Sequence, residues 1–146
     1  MKALTIIAAL TLTLGAALGQ AYSPQTILNG STHGVGAAST TNYSASQFSM
    51  DVRKQEVIPL LFSFACTATN AGTVLLTFER SLDNTTYDGT HTFTWEVTAN
   101  GTSTVSLCTN FTLSGFGWVR LKSIDNTNDV AGTTNMVLKY GINQAN

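Results

Sequence analysis

From residue 46 to the end of the chain, apolar and polar residues alternate with a period of two. Successive side chains of a β-strand point to opposite faces, so this period predicts strands with one buried face and one exposed face. The pattern recurs in about seven runs, and no run shows helical spacing. The predicted inward-facing side chains are, run by run, Phe48, Met50 and Val52; Ile58, Leu60, Phe62, Phe64 and Cys66; Val74, Leu76 and Phe78; Phe93, Trp95 and Val97; Val105, Leu107, Phe111 and Leu113; Val119 and Leu121; and Met136, Leu138, Tyr140 and Ile142.

Turn signals separate these runs at intervals of about ten residues, which favours antiparallel strands joined by short connections. The signals are Asn70-Ala71-Gly72, Asp83-Asn84, Asp88-Gly89, Asn100-Gly101, Ser114-Gly115 and Asp125-Asn126. The sequence therefore predicts an all-β fold in which residues 46–146 form an antiparallel β-sandwich of about seven strands. Immunoglobulin-like and jelly-roll topologies both fit this strand count.

Residues 1–20 differ from the rest of the chain in carrying a long uncharged apolar run after Lys2. Small residues at Ala17, Gly19 and Ala21 offer a cleavage position, so the segment is typical of a secretory signal peptide. The alternation of leucine with threonine in LTLTL also fits a retained hydrophobic segment or strand. Both interpretations remain open.

Residues 21–45 are small and polar, with a brief apolar stretch at Ile27 and Leu28. This composition predicts an extended arm or linker. Too few apolar residues are present for the segment to fold alone, so we expect Ile27 and Leu28 to be ordered by a surface that another subunit supplies.

Charged residues make up 10% of the 146 residues, and the net charge is −1. An average soluble protein has roughly 25%, so the surface must consist largely of Thr, Ser, Asn and Gly. Binding to a nucleic-acid backbone requires clustered Lys and Arg, which this chain lacks, and we therefore expect no nucleic-acid partner. Sparse charge suits a protein that is packed into an assembly or lies outside the cell.

The densest group of ionisable residues is the stretch TFERSLDNTTYDG, with Glu79, Asp83 and Asp88, followed by Glu96. Glu79 is predicted on the outward face of a strand and the two aspartates in successive turns, so the carboxylates point in different directions. A glycosidase needs two carboxylates about 5 to 9 Å apart, one with a pKa raised by burial. The sequence therefore predicts no catalytic residue and no enzyme.

Oxygen-rich turns at Asp83-Asn84 and in IDNTND (residues 124–129) have a composition that calcium tolerates, but neither has the ligand spacing of an EF-hand. An Asp-Asn pair is explained as a turn by its own side-chain hydrogen bonds. His33 and His91 are isolated, with His91 predicted to face inward beside Phe93. We expect no metal site and no cofactor.

The two cysteines, Cys66 and Cys108, give conflicting signals. An even number after an apparent signal peptide favours a disulfide. Strand parity places Cys66 inside with Phe62 and Phe64 and Cys108 outside with Ser106, so a bridge would require a bulge.

The stretches VLLTFERSLDNTTYDG, WEV and GFGWVRLKSIDN together resemble a pattern found in small β-sandwich proteins of tailed bacteriophages and prophages. In that pattern a strand ending in F-x-x-S is followed by a D-G or D-N turn and an aromatic residue; Phe78, Ser81, Asp83, Asn84 and Tyr87 match it, with Asn84 where glycine is more usual. The resemblance implies a non-enzymatic structural protein of the virion, as a head decoration, neck or tail component. Its partners would be other virion proteins or copies of itself.

Two alternatives outside the virion remain. Trp118, Arg120 and Lys122 are predicted to share the outward face of one strand, where an aromatic ring and two cations suit glycan binding by a secreted or cell-surface module. The same face also fits a tryptophan that covers a sheet edge among solvated neighbours. An extracellular fibre subunit would instead donate the strand containing Ile27 and Leu28 to a neighbour.

Overall fold

The computed structural model describes residues 22–43, 45–67, 72–98, 104–112, 115–127 and 131–143, which fold into two antiparallel sheets. A short 3₁₀ turn, Ser46–Phe48, is the helical element of these residues. No helix in this part of the chain has the length and apolar character needed to cross a membrane. The nine strands are β1 (Tyr22–Gly30), β2 (Ser39–Asn42), β3 (Ser49–Asp51), β4 (Val57–Cys66), β5 (Thr73–Ser81), β6 (Tyr87–Thr98), β7 (Thr104–Thr112), β8 (Trp118–Asn126) and β9 (Thr133–Asn143).

The strand order is β1-β9-β4-β7 in the first sheet and β2-β8-β5-β6 in the second, with β3 also pairing with β8. The predicted all-β antiparallel sandwich is therefore confirmed. Consecutive strands β6 and β7 lie at the edges of different sheets, as do β1 and β2. The sandwich therefore has two lateral sides. We call the side with β1 and β2 the β1/β2 edge and the side with β6 and β7 the β6/β7 edge.

The core lies between the sheets and is built by the predicted alternation. In β4, burial alternates without a break from Val57 to Cys66, with Phe62 and Phe64 fully buried. Pro59 lies opposite Asn110 of β7, whereas pairing of β4 with β9 begins at Leu60. This placement agrees with the absence of a backbone N–H on proline.

The segment predicted as an extended arm, residues 21–45, instead supplies two of the nine strands. β1 pairs with β9 from Tyr22 opposite Asn143 to Gly30 opposite Met136, and β2 pairs with β8. Both strands are polar and lack a run of alternating apolar residues, so their partner strands set their register. The signal-peptide or hydrophobic segment at residues 1–20 lies outside the described residues and stays a prediction.

The two cysteines lie far apart and both are free thiols. Cys66 is buried at the end of β4, while Cys108 is exposed and lies opposite Leu61 of β4. Cys66 lies five positions after Leu61 along that strand, or about 17 Å away at the usual strand rise. Disulfide geometry requires Cα atoms less than about 7 Å apart, so the parity argument against a bridge is confirmed.

Candidate functional site

The residues that carry the hairpin motif build a turn that bonds to itself. The Ser81 hydroxyl donates to Asp83 Oδ1 at 2.9 Å and accepts from the backbone N–H of Asn84 at 3.1 Å. Asp83 Oδ1 also accepts the N–H groups of Thr85 and Thr86, each at 2.8 Å. These contacts fold residues 82–86 into a compact connection between β5 and β6, so the serine and aspartate of the motif have structural partners.

Asn84 adopts the backbone conformation that explains why glycine is more usual at its position. Its φ is 61°, in the left-handed region that asparagine tolerates better than most residues. The Tyr87 hydroxyl donates to Asn84 Oδ1 at 2.5 Å. The asparagine side chain therefore gives the turn a hydrogen bond that a glycine could not make.

Glu79 lies on the outward face of β5, as predicted, because it pairs directly with Arg120 of β8, yet its side chain is buried. The pairing of β5 with β6 shifts between Phe78 and Arg80, and Phe78 and Glu79 are both buried in succession. The extra residues of this shift lie in β6, among them Gly89, where an added Cβ would lie 4.0 Å from Glu79 Oε2, so β6 covers this side chain from outside. Glu79 accepts from Arg120 Nε at 2.8 Å and forms an ion pair with that guanidinium.

The three residues predicted to share the outward face of β8 do so, and each has a partner within the chain. The Arg53 guanidinium lies 4.5 Å from the Trp118 ring centre. Arg120 pairs with Glu79 and lies 3.8 Å from the ring centre of Tyr87. This face is thus a set of intramolecular contacts.

Lys122, the third of these residues, connects β8 to β6 across the intervening strand β5. Its Nζ donates to the Gly89 carbonyl at 3.1 Å. Residues 89–92 form an expansion of β6. These four residues lie between Asp88 and Phe93, whereas a single residue of β5 lies between their partners Arg80 and Phe78. Lys122 therefore ties this expansion to the outer face of the second sheet.

Asp88 and His91 hold the same expansion together. Asp88 Oδ1 accepts the N–H groups of Thr90 and His91 at 3.0 and 3.1 Å, and Oδ2 lies 2.7 Å from His91 Nδ1. The His91 side chain is 69% exposed, so its predicted inward position was wrong. Strand alternation does not carry burial into the expanded part of an edge strand.

A cavity of about 600 Å³ opens beside the 82–86 connection. Its lining includes Arg80, Leu82, Asp83, Tyr87, Asp88 and Phe116. Hydrogen bonds from the Thr86 and Thr85 backbone lower the pKa of Asp83 to about 2, and hydrogen bonds from Thr90 lower the pKa of Asp88. General-acid catalysis at neutral pH needs a carboxyl whose pKa is raised, so the electrostatics oppose that role for both aspartates.

Among the described residues no group of three or more His, Cys, Asp and Glu side chains could hold a metal ion. In the second oxygen-rich stretch, Asp125 accepts a hydrogen bond from Thr40 at 3.1 Å. Asp129 lies outside the described residues. The Asp83 turn uses its carboxylate oxygen for backbone N–H groups, which leaves no converging set of ligands there.

Ile27 and Leu28, the predicted assembly contacts, lie in the sandwich of their own chain. Leu28 is fully buried and Ile27 packs against the same core. A shift in the pairing of β1 with β9 occurs between Thr26 and Leu28, which places these neighbouring residues at a bulge. Donation of this strand to a neighbouring copy stays a prediction.

The β6/β7 edge is an incompletely covered apolar region of the described structure. Leu107 has the parity of Val105 and Phe111, as predicted, yet it is 44% exposed. Four further side chains at this edge pack against the core while only partly buried, namely Phe93, Trp95, Val105 and Phe111. Phe93 and Phe111 contact each other with ring centres 4.9 Å apart, so the edge is ordered by an aromatic cluster that remains open to solvent.

β7 is the more regular of the two strands at this edge. Its nine residues pair one to one with β4 from Thr104 to Thr112, without a register shift. Its sequence, TVSLCTNFT, contains no charged residue and no proline. Among the described strands β7 pairs with β4 alone, so no other described strand hydrogen-bonds the second side of its backbone.

No protein-family model and no curated protein matches the sequence. Three solved structures of infectious bursal disease virus resemble it in fold. For the T=13 viral particle the TM-score is 0.42 at 15% identity, covering 84% of this chain and 31% of that one. For the Gx strain the values are 0.42, 11%, 85% and 34%, and for the derived T=1 particles they are 0.41, 15%, 98% and 36%. The chain spans about a third of the length of these viral chains.

Proposed function

We propose that the protein is a non-enzymatic structural component of a virion, acting through contacts with copies of itself or with other virion proteins. The observation that carries this proposal is the β6/β7 edge, where apolar side chains and one side of the β7 backbone are uncovered. Uncovered apolar surface rimmed by polar residues marks sites of protein association, and an exposed strand edge adds unpaired hydrogen-bonding groups to it.

The polar groups near the cavity support association over catalysis. Glu79 neutralises Arg120, while Asp83 and Asp88 accept N–H groups of their own turns. Hydrogen bonds lower the pKa of both aspartates, so they are poor proton donors at neutral pH. An active site needs a nucleophile, a base or an acid aimed at a common point, and these carboxylates serve the fold.

The finer assignment, to a head decoration, neck or tail component of a tailed bacteriophage, rests on the resemblance of the β5–β6 hairpin. In the structure the residues of that motif build the self-bonded connection at residues 82–86. The low charge of the surface further suits a protein that stays in contact with other subunits.

The experiment that tests the proposal is mass spectrometry of particles purified by density gradient from a culture of the source organism or its lysogen. We expect the protein to band with the particles at a fixed stoichiometry to the main shell or tail protein. Genes for capsid or tail proteins beside its own would support the same conclusion. Exclusive recovery from the culture supernatant or the cell surface would overturn it and favour a glycan-binding module or a fibre subunit.

Glycan binding through Trp118 has less support than assembly. The Arg53 guanidinium lies against the indole ring, and Arg53 is itself held by Asp51 through two hydrogen bonds of 2.9 and 2.5 Å. A sugar that stacked on this face of the ring would have to displace the cation. Glycan-array binding that Trp118→Ala abolishes would reverse this ranking.

A further inference from the structure

We propose that β7 is the strand through which two copies of this chain associate, pairing antiparallel with β7 of the second copy about a twofold axis at Cys108. This inference rests on the proposed assembly function and specifies the surface and register of the contact. The first sheet of one copy, β1-β9-β4-β7, would then be continuous with the first sheet of the other copy.

β7 is the edge strand best suited to accept a further strand. β1 contains Pro24 and a bulge, and β2 has four residues. β6 is interrupted by its expansion at residues 89–92. Proline, bulges and short length are the devices that block edge-to-edge pairing, and β7 has none of them.

A second copy is the occupant that the sequence of β7 favours. The strand carries no charge, so two identical strands meet without electrostatic repulsion. A twofold contact is self-complementary by construction and closes at the dimer, whereas other contacts risk open-ended association. A partner strand with charges or bulges would benefit neither from the absence of charge in β7 nor from the self-complementary twofold contact.

The register follows from counting pairs. Cys108 is the middle residue of the nine-residue strand Thr104–Thr112, so centring the axis there pairs every residue of both strands. Moving the centre by one residue leaves two residues of each strand unpaired. On the outer face the pairs would be Cys108 with Cys108, Ser106 with Asn110, and Thr104 with Thr112, all small or polar.

The inner face of the same contact would cover the apolar side chains now open to solvent. Val105 would lie opposite Phe111 of the second copy, a combination of β-branched and aromatic residues that stabilises sheets. Leu107, 44% exposed in the single chain, would lie opposite Thr109 of the second copy on the inner face of the joined sheet.

Thiol crosslinking and charge placement test the register together. Cα atoms directly opposite in an antiparallel pair are about 4.5 to 5.5 Å apart, within the range that a disulfide spans. Diamide, which takes up the two protons and two electrons that a pair of thiols loses, should convert the purified protein to a dimer linked through Cys108. Cys108→Ser should abolish the crosslink, and Cys66→Ser should not.

The charge variants use Ser106 and Asn110, which are exposed and opposite each other in this register. Ser106→Lys with Asn110→Lys places two like-charged pairs across the axis and should weaken dimerisation about tenfold. Ser106→Lys with Asn110→Glu places opposite charges there and should dimerise at least as tightly as the wild type. Gln25→Lys with Asn29→Lys, on β1, is the matched control and should leave dimerisation unchanged.

Analytical ultracentrifugation over a range of concentrations measures all three variants, and circular dichroism checks that each is folded. A dimer that neither crosslinks at Cys108 nor responds to the two lysines would overturn the β7 inference and leave assembly through another surface. A protein that stays monomeric at every concentration would also overturn it. The particle experiment above still decides the proposed function in both cases.

Discussion

The two lateral edges of the sandwich are closed in different ways, although both sheets contribute edge strands to each. At the β1/β2 edge, Leu28 is fully buried and Val35 forms an isolated bridge with Thr133, which seals the space between the sheets. At the β6/β7 edge, Leu107 and the aromatic cluster stay partly exposed. The difference shows that apolar content does not decide which edge is closed, because the more polar strands form the sealed one.

Loss of a leucine should separate the two edges most strongly. Leu28→Ala removes a fully buried side chain and should lower the free energy of unfolding by about 2 to 5 kcal/mol. Leu107→Ala removes a half-exposed one and should cost less than about 1 kcal/mol in the monomer. Urea unfolding at low protein concentration measures both, and equal losses would contradict the contrast between the edges.

Glycine substitutions give a smaller effect with the same contrast. A Cβ at Gly34 would lie 2.6 Å from the carbonyl oxygen of Thr133, so Gly34→Ala should destabilise the β1/β2 edge by about 1 to 3 kcal/mol. A Cβ at Gly89 of β6 meets its nearest atom at 3.7 Å. Gly89→Ala should therefore stay within about 0.5 kcal/mol of the wild type, as read from thermal unfolding. A Gly34→Ala protein as stable as the wild type would show that the bridge is not tightly packed.

As the pH falls, the connection at residues 82–86 should be destabilised before the β1/β2 edge. The folded-state pKa of Asp83 is about 2, against 3.8 without the hydrogen bonds, so the stabilisation by this group is present above pH 4 and is lost as the pH falls toward 2. The urea midpoint should change little on account of Asp83 from pH 5 to 8 and should fall below pH 4. Asp83→Asn should reduce that fall, and an unchanged acid limb in this variant would show that Asp83 contributes little.

The smallest expected effect concerns the thiols. Burial raises the pKa of the Cys66 thiol, which lowers its reactive thiolate fraction, whereas Cys108 lies exposed on the edge strand. In the monomer, Cys108 should react with a thiol reagent such as dithionitrobenzoate well before Cys66. Equal rates for Cys66→Ser and Cys108→Ser proteins would indicate that the end of β4 opens readily.

The sequence predicted strands wherever one face is buried along a whole run. In β4 and β5 the apolar residues alternate because one face of each strand packs into the core between the sheets, so period and burial coincide. β1 and β2 were missed as strands because an edge strand can take its register from one neighbour. YSPQTILNG has a single apolar pair, and STTN has none, so no local pattern revealed β9 and β8 as their partners.

The sequence predicted which way the site residues point, but it did not predict which residues they contact. Alternation placed Trp118, Arg120 and Lys122 on one face, yet their partners Arg53, Glu79 and Gly89 come from other strands and connections. Glu79 is buried because Arg120 and the expansion of β6 cover it, and the position of that expansion carries no sequence signal of its own. Glu79 lies two residues before Ser81, and its partner Arg120 lies on β8, three strands later in the chain, so this pair could be recognised only once the register was known.

The pairing of β1 with β9 has a consequence for how the protein folds during synthesis. β1 is made first among the described strands and its partner last, and β4 also needs β9 on one side. Contacts between residues this distant in sequence form slowly, because loop closure must precede any gain in free energy. We therefore expect the first sheet to complete only after β9 has left the ribosome, with β5, β6 and β8 assembled beforehand.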